Sequence, residues 1–161
     1  MAYSHRYTVD LGPIELGRDG SMTFQLKGLP HAQFTVGIDV KGSKDLQLTN
    51  QPLRKTVLRI ELRSSDNKTI IVEEAPLSEW VATTSPSSPG WAHFYRRGDA
   101  EDVVYSNGST GSKRLGVKAS EGWGTYFNSE TPERYLLKVS VLSPGEVGDV
   151  SARLALVGWD R

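Results

Sequence analysis

The chain has 161 residues, with 19 Lys plus Arg balanced by 19 Asp plus Glu, and no cysteine. That length suits one domain, residues 1–161, which can bury roughly 70% of its unfolded surface without covalent staples. The missing cysteines exclude disulfide frameworks, thiolate metal sites and cysteine nucleophiles, and zero net charge argues against a dedicated nucleic-acid binder, which needs a basic face.

No apolar run approaches the ~20 residues of a bilayer-spanning helix. The start, Met1-Ala-Tyr-Ser-His-Arg-Tyr7, is polar and shows no signal-like apolar stretch. With 16 glycines and 8 prolines, and no helical periodicity sustained along the chain, the composition predicts short strands and frequent turns.

Tyr7–Leu11 alternates and meets the breaker Gly12-Pro13. Ile14-Glu-Leu16 reads as a short strand before the turn Gly17-Arg-Asp-Gly20. Ser21–Leu26 places Met22, Phe24 and Leu26 on one face. Phe34–Val40 points Phe34, Val36, Ile38 and Val40 inward. Lys41–Pro52 is a polar connection. Leu53–Leu62 is a strand with Thr56, Leu58, Ile60 and Leu62 inward and Lys55, Val57, Arg59, Glu61 and Arg63 outward. Ser64-Ser-Asp-Asn67 then turns the chain so that Lys68–Glu73 returns as a hairpin.

The middle, residues 75–128, is less regular. Ala75–Gly90 holds three prolines and four serines, with only Trp80-Val81 strand-like. Connections this long are usually functional or mobile. Trp91-Ala-His-Phe-Tyr-Arg-Arg97 is dense in aromatic and basic groups and precedes the acidic Asp99-Ala-Glu-Asp102. Val103–Tyr105 and Arg114–Val117 are short strand candidates around the turn-rich Ser106–Ser112, and Glu121–Phe127 spaces its aromatics with glycine. The closing stretch alternates clearly: Tyr135, Leu137, Val139 and Val141 share a face in one arm, and Ala152, Leu154 and Leu156 in the other. Pro144, Gly145, Gly148 and Asp149 between the arms predict an antiparallel hairpin.

Most candidate chemistry has a bland alternative. His5, His31 and His93 show no metal-ligand spacing, and His93 reads as a histidine at a strand edge. Asp99, Glu101 and Asp102 lack the full spacing of a calcium loop and read as a solvated acidic turn. Arg97-Gly98-Asp99 spells an adhesion tripeptide that occurs often by chance. Ser65-Asp66-Asn67 and Ser65-x-x-Lys68 overlap in one turn, where a helix-borne serine enzyme is impossible. Gly108–Lys113 does not fit a phosphate loop. Asn67-Lys-Thr69 and Asn107-Gly-Ser109 are glycosylation sequons. The basic row Lys55, Arg59 and Arg63 reads as a solubilising stripe neutralised by Glu61 and Glu73.

Tryptophans Trp80, Trp91 and Trp123 lie in the middle segment with several tyrosines. Loop aromatics either plug the ends of a sandwich or anchor a partner, where Trp, Tyr and Arg dominate binding energy.

The blocks Thr8-Val-Asp-Leu11 with Ser21-Met-Thr-Phe-Gln-Leu26, and Arg134–Val141 with Ala152-Arg-Leu-Ala-Leu156, resemble small β-sandwich domains of Gram-negative envelope proteins. Some of these are immunity proteins against secreted toxins. The resemblance implies a tethered domain of the periplasm or envelope, although no lipidation cysteine is present here.

These readings predict an all-β chain, an antiparallel β-sandwich of about seven to ten strands, with no enzymatic site, cofactor or metal. The expected function is protein binding, as an inhibitor that occludes a toxin or hydrolase, through Trp80, Trp91, Tyr95, Arg96, Arg97 and Trp123. The rival expectation is a carbohydrate-binding module using the same tryptophans.

Overall fold

The computed structural model describes residues 6–42, 51–83, 90–96, 100–104, 110–114, 124–130, 133–146 and 150–160. It is an all-β sandwich of two antiparallel sheets. The first sheet runs in the order β1 (Arg6–Ile14), β12 (Ser151–Asp160), β3 (Ala32–Lys41), β7 (Trp91–Tyr95) and β6 (Val81–Thr83). The short β10 (Tyr126–Asn128) also pairs with β3. The second runs β2 (Gly20–Leu26), β11 (Tyr135–Ser143), β4 (Val57–Ser64) and β5 (Thr69–Pro76). Strands β8 (Ala100–Val104) and β9 (Thr110–Arg114) form a separate antiparallel pair. One helical turn, α1 (Gln51–Arg54), precedes β4.

The two inner faces make the core. Phe34, Val36, Ile38 and Val40 of β3 are fully buried, as are Leu58, Ile60 and Leu62 of β4 and Leu137 of β11. These are the positions that period-2 alternation assigns to one side of each strand. The Phe34 ring stacks on Phe127 at 5.9 Å between centroids, and Phe127 meets Tyr135 edge-on at 5.3 Å. Gly158, paired with Phe34 across β12 and β3, makes room for that ring. A Cβ there would lie 2.5 Å from Phe34 Cδ1.

Several expectations hold. The strands at Ser21–Leu26 and Phe34–Val40 form, and Thr56, Leu58, Ile60 and Leu62 are buried. The β4–β5 hairpin forms through the turn at Ser64–Lys68. There Asn67 takes φ 64°, a left-handed conformation that asparagine tolerates better than most residues.

Others are corrected. Tyr7–Leu11 and Ile14 belong to one strand, β1, which absorbs Gly12 (φ 104°) in a bulge. Leu53 lies in a helical turn rather than in the strand. Glu101 and Asp102 belong to β8 rather than to a turn, while Asp99 lies outside the described residues.

The largest correction concerns the closing arms, which do not pair. β11 sits between β2 and β4, and β12 between β1 and β3. The connection after Ser143 therefore crosses from one sheet to the other, and the apolar faces of the two arms meet across the core. A hairpin would instead set those faces side by side. Both patterns alternate identically along the chain, so local periodicity does not separate them.

Candidate functional site

Strands β7 and β10 lie end to end along one edge of β3. His93 pairs with Asp39 and Trp91 with Lys41 at one end, and Tyr126 pairs with Thr35 at the other. The seam between them is closed by main chain. Thr125 donates its N–H to the Arg96 carbonyl at 3.1 Å, and its own carbonyl accepts from Val36 N–H at 2.9 Å. Its hydroxyl accepts from Arg96 N–H at 3.0 Å. The buried Ser129 fixes the far end of β10, accepting from Ala32 N–H at 3.0 Å and donating to the Ala32 carbonyl at 3.1 Å.

Because Ala92 and Phe94 of β7 are buried, the alternate residues Trp91, His93 and Tyr95 point away from the core. Phe127 is buried likewise, which turns Tyr126 outward. The result is an aromatic strip on the outer face of the larger sheet. His93 and Tyr95 lie 5.8 Å apart at 30°, and Tyr95 meets Tyr126 edge-on at 6.0 Å and 88°. The Lys41 ammonium sits 5.6 Å from the Trp91 ring, a cation–π contact. At the opposite margin Trp159, half exposed, carries Arg6 at 5.7 Å.

The strip has a polar centre. His93 Nδ1 lies 2.5 Å from Asp39 Oδ1, with both side chains about a third exposed or less. The imidazole packs down on Gly37: a Cβ there would come within 2.4 Å of His93 Cε1 and 2.9 Å of Nε2. Glycine at 37 thus lets the ring lie flat on the sheet and holds it against Asp39. β7 is also interior to its sheet, between β3 and β6, so His93 is not at a strand edge.

The six residues expected to contact a partner fall into different places. Trp91 and Tyr95 are half-buried on the strip. Trp80 is a core residue, 3% exposed, whose indole N–H donates to the Ala75 carbonyl at 3.2 Å. It presents no surface to a partner. Arg96 is a clasp between the sheets: Nη1 donates to the Glu79 carbonyl at 2.9 Å and Nε approaches Glu73 Oε2 at 3.4 Å, with both side chains 23% exposed. Arg97 and Trp123 lie outside the described residues. Glu73 is thus drawn inward, and Arg59 of the basic row is neutralised by Glu61 at 2.7 Å and Glu74 at 3.2 Å instead.

Asp39 and Tyr126 join the strip, although neither was among the six residues expected to contact a partner. The one signal was the spacing Trp91-x-His93-x-Tyr95, which places three aromatic rings on one face once the segment is recognised as a strand. Among the described residues no three His, Asp or Glu side chains are grouped to hold a metal, and no helix is long and apolar enough to cross a membrane.

No family model and no curated protein matches the chain. A solved structure, the insecticidal delta-endotoxin Cry8Ea1 from Bacillus thuringiensis, aligns with 92% of this chain and 19% of its own length, at 13% identity and a TM-score of 0.34. A likeness of that size assigns neither family nor function.

Proposed function

We propose that the chain is a non-enzymatic domain that takes a protein partner on the outer face of its larger sheet, with Trp91, Tyr95 and Tyr126 as anchors. The observation that carries this reading is the arrangement of those rings. They stand on strands, not on loops, and Tyr95 is packed against both His93 and Tyr126, so little side-chain entropy is lost when a partner covers them. Rigid aromatic groups are what protein interfaces concentrate at their centres. The sequence resemblance to immunity-type sandwiches makes a secreted toxin or hydrolase, blocked by occlusion, the partner to test first.

A second reading has its own support. The Asp39–His93 couple sits on the same face as Trp91 and Tyr95, and a sugar could stack on the rings while its hydroxyls bond to the polar pair.

The test is titration of a candidate toxin encoded beside this chain's gene. Trp91→Ala with Tyr95→Ala should weaken binding by about 100-fold or more, the range of interface anchors, without unfolding the domain. Undiminished affinity overturns the proposal. Soluble glycans that quench tryptophan emission in the wild type, and not in that variant, would transfer the site to the carbohydrate reading.

A further inference from the structure

The smaller sheet carries a different feature at the far end of β4. A cavity of about 320 Å³ opens there, lined among others by Leu26, Lys27, Arg63, Asn67, Arg134 and Leu136. Its size is at the low end of ligand pockets and suits one or two side chains better than a cofactor. Leu26 is buried and forms floor, while Leu136 is 42% exposed beside it.

Three cations surround this space. Among the described residues none of Lys27, Arg63 and Arg134 is ion-paired; Arg63 donates only to Asn67 Oδ1 at 3.3 Å. The carboxylates nearby bond to other groups, two of them to serines that line the cavity. Glu133 accepts from the Ser65 N–H at 3.0 Å and from the Ser65 hydroxyl. Asp66 accepts from the Ser64 hydroxyl, and Glu61 holds Arg59. Lys27, Arg63 and Arg134 thus outnumber Glu133 and Asp66 at the rim, and an anion entering the site would break no ion pair among the described residues.

The cavity adjoins an open strand edge. Among the described residues β2 pairs only with β11, and Gly20–Leu26 contains no charge and no proline. The other long edges are blunted: β1 carries a bulge and Pro13, and β5 carries Glu73, Glu74 and Pro76. Along β2, Met22 and Phe24 are only partly covered on the core side, while Ser21, Thr23 and Gln25 are exposed. An added strand with alternating apolar and polar side chains would complete both layers.

We propose that β2 accepts an extended acidic peptide segment of a protein partner as an additional strand, with a carboxylate of that segment seated between Lys27, Arg63 and Arg134. Backbone pairing supplies affinity, and the cationic cavity selects the acidic residue and the register. This site lies on the other sheet from the aromatic strip and does not depend on it.

The experiment titrates the folded domain with a synthetic peptide about seven residues long, alternating valine and threonine and ending in two glutamates, followed by backbone NMR. Amide shifts should fall on residues 20–27 and 63–67. Affinity should drop about tenfold when the glutamates become glutamine, and again about tenfold in an Arg63→Gln, Arg134→Gln variant whose spectrum shows the fold intact. Trp91→Ala should leave this titration unchanged, so the two sites fail or stand separately. Equal binding of the glutamate and glutamine peptides, shifts elsewhere on the domain, or no binding overturns the proposal. So does inorganic phosphate or a heparin oligosaccharide that moves the same amides at equal or lower concentration, which would make the cavity a general anion or glycan site.

Discussion

The two broad faces of this sandwich cover the same core and are built to opposite plans. The outer face of the larger sheet carries aromatic rings packed on one another around Asp39–His93. The outer face of the smaller sheet carries ion pairs among the exposed Val72, Leu136 and Leu142: Arg59 is bridged to Glu61 and Glu74, with Lys138 in the next strand of the ladder opposite Glu61. Exposed ion pairs contribute little to stability and keep a face in water. Clustered rings on an outer face remove nothing from the core if they are lost, and they offer area to a partner. Under the proposed function, the contrast separates a solvated face from a recognition face.

The sharpest break of that contrast uses two tryptophans of the same segment. Trp80→Ala removes a buried indole and its hydrogen bond to Ala75, and should cost about 3–5 kcal/mol. Trp91→Ala, on the strip, should cost under about 1 kcal/mol. Thermal or denaturant unfolding of the two variants checks this, and equal losses would place Trp91 in the core. Gly37→Ala comes next. The new methyl collides with His93 and with the Phe94 carbonyl, 3.0 Å away, so the ring must lift off the sheet. A loss of about 1–3 kcal/mol is expected, together with a changed His93 side-chain NMR signal, while the smaller sheet keeps its spectrum.

The smallest effect belongs to the charged face. Hydrogen bonds from Arg59 hold the Glu61 carboxyl below its usual 4.5, with Lys138 and Arg63 adding to the effect. The folded state therefore gains from this ion pair above that pH, and the gain is lost as pH falls through the lower folded value. Glu61→Gln should lower the melting temperature slightly at pH 7, and the gap from wild type should close in acid. A gap that persists below that range would show that the charge on Glu61 is not its cause.

What could be read from the sequence follows from range. Strand interiors such as Leu58–Leu62 were legible because burial is written locally, every second residue. Pairing was not. Tyr135–Val141 and Ala152–Leu156 each alternate cleanly and are joined by turn formers, yet they pack across the core from opposite sheets. Their partners β4 and β3 are remote in sequence, and no local pattern names them. The site was half legible for the same reason. Trp91 and Tyr95 announce themselves by residue type. Asp39 and Tyr126 reach them only through the β3–β7 and β3–β10 registers. Trp80 and Arg96 carry the residue types of an interface but serve the interior and the seam between sheets.

The proposed function requires that the partner of the aromatic strip meets that face and not the ion-paired Arg59–Glu61–Glu74 face, the β2 edge being a separate site. A photo-crosslinking amino acid placed at Tyr95, or in a second protein at Lys138, tests it with a bound partner. Crosslinked partner is expected from position 95 and little from 138. Equal yields from both, or yield from 138 alone, would contradict it.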